Sequence, residues 1–249
     1  MPASTLPRKK SASTALIDRT REFSTAVGAL RFGVTVTKVY NPLDYAGALH
    51  EAYLARFGTG TKKVVFLGMN PGPFGMVQTG IPFGEVEAVK NWLKLDGMVK
   101  IPTPVYDPRP IEGLACSRSE VSGRRLWGYF AEKYQTPEAF FARNFVANYC
   151  PLAFLDQARN VTPDKLPKAE AAPLYQLCDA YLSDMVEILQ PEWVIGVGKF
   201  ARQRAEKVLS GRAIKFGDIL HPSPASPAAN RGWAEVVERQ LQELGLANK

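Results

Sequence analysis

Three polar side chains in this chain of 249 residues stand at the ends of strand-like stretches, each close ahead of a proline. Asn70 follows Val64-Val65-Phe66-Leu67-Gly68-Met69 and precedes Pro71-Gly72-Pro73. Asn148 follows Phe145-Val146-Ala147, with Pro151 just beyond. His221, one of two histidines, ends the run from Ile214 to Leu220 and opens Pro222-Ser223-Pro224. A neutral amide is no base at neutral pH, but held rigidly it orients a water or a substrate group. Taken alone, Asn70 has the ordinary reading of a loop-capping Asn; taken with the His221 motif it points to chemistry. The six residues after His221 include three prolines, which make a stiff loop with little entropy to lose on binding. A stiff loop of small residues beside a rigid His, in a basic protein, suits a wedge entering a duplex from which a base has been turned out.

The elements that must position these residues are legible as strand-length stretches, and Val64 to Leu67 lacks alternation, the pattern of a strand buried on both faces of a parallel sheet. Four strands are expected: Val64 to Leu67, Phe145 to Leu152, Trp193 to Gly198 and Ile214 to Leu220. Helices alternate with them. One starts at Ser13. Another is capped by Asn41 and runs from Pro42 to Gly58, and a third covers Glu85 to Leu95. Further helices open at Ser119 and after the Asn160-Val161-Thr162-Pro163-Asp164 cap, cover Tyr175 to Leu189 and Lys199 to Leu209, and close the chain over Trp233 to Leu246. The fold class is therefore α/β, a three-layer α/β/α domain around a central, mainly parallel four-stranded sheet. Ligands bind such sheets at the carboxyl ends of the strands, where Asn70, Asn148 and His221 stand. Ile101 to Gly113, rich in proline, reads as an irregular surface loop.

Other features admit two readings. Ser119 and Ser122, beside Arg124 and Arg125, either grip a phosphate at a helix start or simply cap the helix. Gly196-Val197-Gly198-Lys199 lacks the upstream glycine and the Ser or Thr of a P-loop, which rejects nucleotide hydrolysis and leaves contact between Lys199 and a DNA phosphate open. Arg231 is a further candidate phosphate contact. His50 reads as a surface or packing residue rather than a ligand.

An apolar fraction of 46% and a charged fraction of 22% are those of a soluble globular protein. No apolar run approaches the roughly 18 residues of a membrane span. Arg8-Lys9-Lys10 has no apolar segment behind it, so no secretory signal is read. Three widely spaced cysteines give neither a disulfide framework nor a metal-ligand spacing and fit a reducing cytoplasm, nucleoid-associated in a bacterium or nuclear in a eukaryote. The formal charge of +7 favours a polyanionic partner or serves solubility. Residues 1–12 read as a disordered basic tail, and 13–249 as one domain.

Two stretches carry a resemblance. Gly68-Met69-Asn70-Pro71-Gly72-Pro73-Phe74-Gly75 and His221-Pro222-Ser223-Pro224 resemble the two motifs of the uracil-DNA glycosylase superfamily. With Pro82-Phe83-Gly84-Glu85, Ser119 to Gly123 and Asn148 to Leu152, the chain resembles its single-strand-selective monofunctional branch from about Tyr40 to Leu246. The resemblance implies a DNA repair glycosylase that cleaves the N-glycosidic bond of uracil and of 5-modified uracils such as 5-hydroxymethyluracil, in single- and double-stranded DNA. It implies a monomer with no cofactor and no metal, whose partner is DNA. By family analogy Asn70 and His221 are catalytic, Asn70 positioning the water and His221 donating to uracil O2. Met69, Gly72, Phe83 and Asn148 recognise the base: Phe83 stacks on it, Asn148 reads N3–H and O4, and Gly72 admits a C5 substituent. Pro71, Ser223, Pro224, Ala225, Ser226 and Pro227 meet the DNA, the last five as the wedge. Relatives carry Arg where this chain has Ala225, and a larger polar residue at Ala228, so a stronger preference for single strands is expected. Neither motif holds a lysine, consistent with attack by water and no strand cleavage. A catalytically weak DNA-binding module is the alternative. A metal- or nucleophile-dependent hydrolase lacks its residues at the strand ends.

Overall fold

A computed structural model describes residues 10–33, 36–157 and 159–247. The expectation for the first twelve residues falls largely outside them, but the first helix already starts at Ala12. This helix, α1 (Ala12–Gly28), is capped by Ser11, whose hydroxyl accepts the Thr14 N–H, and buries Leu16, Thr20, Phe23 and Val27 at helical spacing. The strand β1 (Lys38–Tyr40) follows. The single helix expected from Asn41 to Gly58 is two, α2 (Pro42–Tyr45) and α3 (Gly47–Phe57), with Ala46 outside helical geometry between them. Asn41 makes no side-chain cap there; its amide instead donates to the Ser24 carbonyl, tying α2 to α1.

Next come β2 (Val64–Gly68) and the short α4 (Met76–Thr79). Where a regular helix over Glu85 to Leu95 is expected, Ala88–Trp92 winds as a π-turn. Beyond the irregular stretch after Ile101 lie α5 (Val121–Tyr134) and α6 (Pro137–Phe141), then β3 (Asn144–Asn148). The strand expected to reach Leu152 stops at Asn148, opposite Gly68 where β2 also ends, and Pro151 just beyond has no N–H to extend the pairing further. The chain then forms β4 (Ala153–Asp156) and β5 (Arg159–Val161). Asn160, expected to cap a helix, lies in β5; Thr162 instead precedes a single 3-10 turn at Pro163–Lys165. The rest alternates as expected, α7 (Lys168–Leu189), longer than predicted and passing through Pro173, β6 (Trp193–Val197), α8 (Lys199–Val208), β7 (Lys215–Ile219) and α10 (Trp233–Glu243), except that one unexpected helical turn, α9 (Pro227–Asn230), precedes α10.

The main sheet has the order β3-β2-β6-β7, every pair parallel. Val64 pairs with Asn144 and Gly68 with Asn148, so β2 and β3 end level. All residues of both strands are buried, which is why their sequences do not alternate. On one face Phe66 meets Phe130 of α5 and Phe140 of α6, and Gly217 leaves room for Leu244 just past α10. On the other, Tyr53 of α3 packs on Phe145 and donates its hydroxyl to the Val146 carbonyl, while Gly196 lets the backbone of α8 lie against β6. The result is the expected three-layer α/β/α arrangement, with one continuous core reaching from Leu16 to Leu241. A second sheet, β1-β4-β5, is antiparallel and was not predicted. It covers its own apolar cluster of Tyr40, Tyr45, Val77, Ile111 and Leu155.

Candidate active site

The carboxyl edge of the parallel sheet opens into a cleft of about 620 Å³, within the usual range for small-molecule sites. Asn70, Asn148 and His221 all line it, as do Met69, Pro71, Gly72, Phe83, Ser119, Ser122, Ser223 and Pro224. Ala225, Ser226, Pro227, Lys199 and Arg231 do not; the first three continue the rim beyond Pro224, and Lys199 and Arg231 are exposed away from the lining.

Backbone pairing carries the strand ends into the cleft together. Past the last ladder pair, the Tyr149 N–H donates to the Gly68 carbonyl at 2.9 Å and the Cys150 N–H to the Met69 carbonyl at 2.8 Å. The two asparagine-bearing loops therefore run side by side. Asn148 is buried, its Nδ2 directed at the Met76 sulfur at 3.2 Å, and its Oδ1 has no hydrogen-bond partner in the protein. A buried acceptor of that kind costs free energy unless a ligand donates to it. The amide thus offers an acceptor, with a donor beside it, to a planar group bearing the opposite pair.

Phe83 lies directly over the end of β2. A Cβ on Gly68 would lie 2.6 Å from the Phe83 ring and overlap Asn148 Oδ1, so only glycine lets these two side chains converge. Phe83 has a φ of 54°, a left-handed conformation that a bulky residue adopts at a cost. Its carbonyl is pinned from two sides: it accepts the Glu85 N–H at 2.7 Å, and Gly123 of α5 sits so close that a Cβ there would collide with it. The Phe83 and His221 rings lie with centroids 6.2 Å apart, tilted by 46° to each other.

His221 is half-buried at the end of β7. Its Nδ1 accepts the Ser223 N–H at 3.1 Å, which leaves the ring proton on Nε2 and makes that atom a donor. Burial lowers its pKa, keeping the imidazole neutral. Gly198, with a φ of 96°, brings the end of β6 to 3.3 Å from the His221 Cβ as measured from the position of its own missing side chain. Asn70 is half-buried, and its Nδ2 makes only a long contact, 3.5 Å, with the Leu152 carbonyl. The rigid hold expected of this amide is thus not supplied by a close hydrogen bond, and the amide keeps its donor capacity for a water at the cleft wall.

The loop after His221 is braced from outside. Arg125 donates to the Pro222 carbonyl at 3.0 Å, to the Ser223 carbonyl at 3.4 Å and to Asn230 Oδ1 at 2.8 Å, and Asn230 in turn donates to the Pro224 carbonyl. Ser119 does not cap α5; its hydroxyl donates to Glu85 and accepts from Arg124. Ser122 lies in the first turn of α5, buried against the cleft. His50 is a packing residue: its Nδ1 meets the Gly80 carbonyl at 2.7 Å, and burial lowers its pKa to about 4.

Four residues of the cleft have no site role legible in the sequence. Met76 meets Asn148; Glu120 accepts the Phe74 N–H at 3.0 Å; Asn160 and Thr162 arrive from the unpredicted second sheet. At the rim, the Arg118 and Arg109 guanidiniums lie 3.9 and 4.8 Å from the Phe74 ring centroid. Only Glu120 left a local signal, an acid immediately ahead of a helix start. Among the described residues no group of three or more His, Cys, Asp or Glu is placed to hold a metal.

Residues 55–244 match the family described as the Uracil DNA glycosylase superfamily. The chain is 44% identical to the single-strand selective monofunctional uracil-DNA glycosylase of Rattus norvegicus, over 98% of this chain and 90% of that protein. The protein of the same description from Mus musculus is also 44% identical, over 97% of this chain and 88% of that one. The crystal structure of Pedobacter heparinus SMUG2 superimposes with a TM-score of 0.66 over 92% of this chain and 97% of that one; at 16% identity this is a likeness of fold. The chain belongs to the uracil-DNA glycosylase superfamily and, within it, to the single-strand selective monofunctional uracil-DNA glycosylases, hydrolases of the N-glycosyl bond.

Proposed function

We propose that this enzyme removes uracil, and uracils substituted at C5 such as 5-hydroxymethyluracil, from single-stranded and double-stranded DNA, leaving an abasic site and needing no metal. The observation that carries the reading is the unpartnered Oδ1 of Asn148. With Nδ2 beside it, that amide matches the N3–H and O4 of uracil and opposes the reversed pattern of cytosine. Phe83 supplies the face on which a flipped base stacks. On this reading O2 points to His221 across the slot.

Cleavage of the glycosidic bond builds negative charge on the departing base, mainly at O2, and positive charge on the sugar. A neutral imidazole that already carries its proton on Nε2 is suited to meet that oxygen with no prior proton transfer. A donor aimed at developing charge in a dry site is worth about 3–4 kcal/mol. Asn70 holds the water that attacks C1′. Being an amide, it polarises that water less than a carboxylate does, so the chemical step is slow.

Excision from a labelled single-stranded oligonucleotide with one uracil, followed by alkali, tests the reading. Wild type without added metal gives product only after alkali, and Asn70→Ala and His221→Leu give far less. A wild type that retards the strand on a gel but leaves its uracil in place would be a DNA-binding module of this fold.

A further inference from the structure

We infer that the Glu120 carboxylate is the wall that meets whatever the bound base carries at C5, and that it accepts hydroxyl-bearing substituents while rejecting anionic ones. The inference rests on the base orientation proposed above. With O2 at His221 and N3 and O4 at Asn148, C5 lies beyond O4, on the side where Asn148 Nδ2 meets Met76 Sδ. Met76 continues directly into the turn that Gly72 heads: the Gly75 and Val77 N–H groups both donate to the Gly72 carbonyl, at 3.3 and 3.2 Å.

Glycine at position 72 does not leave that side of the cleft empty. A Cβ there would lie 2.7 Å from Glu120 Oε2 and 2.8 Å from its carboxyl carbon, and one at Gly75 would lie 3.0 Å from Glu120 Cγ. The carboxylate therefore occupies the space into which a side chain at 72 would project. It lines the cleft from just ahead of α5, and its Oε2 takes the Phe74 N–H at 3.0 Å. Its pKa is raised, by burial first and by the Glu85 carboxylate as well, and the backbone N–H groups of Phe74, Gly75 and Ser122 offset only part of the rise.

The consequences differ by substituent. A carboxylate has about four lone-pair directions, so an oxygen can serve the Phe74 N–H and still accept the proton of a hydroxymethyl group. A methyl covers the carboxylate without replacing its water, which costs desolvation. A carboxyl brings a second negative charge to the first. The C5 pocket is thus selective by charge and hydrogen bonding as well as by size.

Single-turnover excision from single strands carrying uracil, 5-hydroxymethyluracil or 5-carboxyuracil tests this in wild type and Glu120→Gln, with a thermal melt of each. Wild type should release 5-carboxyuracil about tenfold or more slowly than uracil, and the variant should raise the carboxyuracil-to-uracil ratio by a similar factor. One common slowing of all three bases in the variant, or unchanged ratios, overturns the inference and leaves Glu120 a loop brace. Wild type releasing 5-carboxyuracil as fast as uracil overturns it even if the variant does not fold. A wild type that releases no uracil overturns the functional reading itself.

Discussion

Gly68 and Asn148 stand opposite each other at the last rung of the β2–β3 ladder, and the missing side chain of the first is the space held by the amide oxygen of the second. Phe83 closes the same space from above. The convergence of Asn148 and Phe83 thus depends on the absence of a Cβ at one position.

Gly68→Ala is therefore expected to displace Asn148 and Phe83 rather than to unfold the chain. Overpacking of this kind costs about 1–3 kcal/mol of stability, whereas a displacement near 1 Å at a reacting centre costs roughly a hundredfold in rate. Excision kinetics beside a denaturant melt check the split. Activity within a few-fold of wild type would mean that the slot tolerates the shift.

Both histidines are held neutral by burial, and His50 has the larger consequence for stability. Its folded pKa is about 4 against an ordinary 6.5. The unfolded chain therefore binds the proton first, and stability rises with pH across this window. The contribution is complete above about 6.5 and is lost as pH falls towards about 4, amounting to about 3 kcal/mol. His50→Asn retains an N–H for the Gly80 carbonyl and should flatten that part of the curve of unfolding free energy against pH. An equally steep curve in the variant would place the acid sensitivity elsewhere.

The sheet was legible because β2 and β3 are buried on every residue, which writes short apolar runs without alternation, and turn residues bound them at strand length. Asn70 and Asn148 were legible from those strands, at whose ends they stand, and His221 from the proline-rich motif that it opens, since β7 is only partly buried and carries Lys215 and Asp218. The second sheet was not. Ala153-Phe154-Leu155 is short and follows Cys150-Pro151-Leu152, so it merges in sequence with the strand before it, and β5 offers only Arg159-Asn160-Val161 with no apolar pattern. Long-range pairing with Lys38–Tyr40 makes these strands. Glu120 escaped for a related reason: its role comes from Gly72 and Gly75, nearly fifty residues away in sequence, whose missing side chains cannot be read as room for anything in particular.

Arg125 looks in sequence like half of a phosphate grip, but its three contacts are to Pro222, Ser223 and Asn230. Removing it should loosen the loop after His221 without removing a DNA charge contact. Arg125→Ala is expected to slow duplex excision by about tenfold and single-strand excision much less, because only the duplex needs the loop already shaped. The dependence of binding on salt should keep its slope. A slope shallower by about one phosphate would reassign Arg125 to the DNA backbone.

Ala225 tests the wedge itself. It is exposed at the tip of the loop, and its N–H is held by the Ser223 hydroxyl at 3.1 Å, so the backbone there is already formed. What the tip lacks is bulk. A methyl group fills little of the gap left by an extruded base, so the cost of unstacking a duplex is poorly offset, while a single strand has little stacking to lose. Wild type should accordingly prefer single strands, and Ala225→Arg should raise the duplex-to-single-strand rate ratio by about tenfold. The added guanidinium should also steepen the salt dependence of duplex binding by roughly one phosphate. Equal wild-type rates on the two substrates, or a ratio that Ala225→Arg leaves where it was, would show that the small wedge does not limit entry into the duplex.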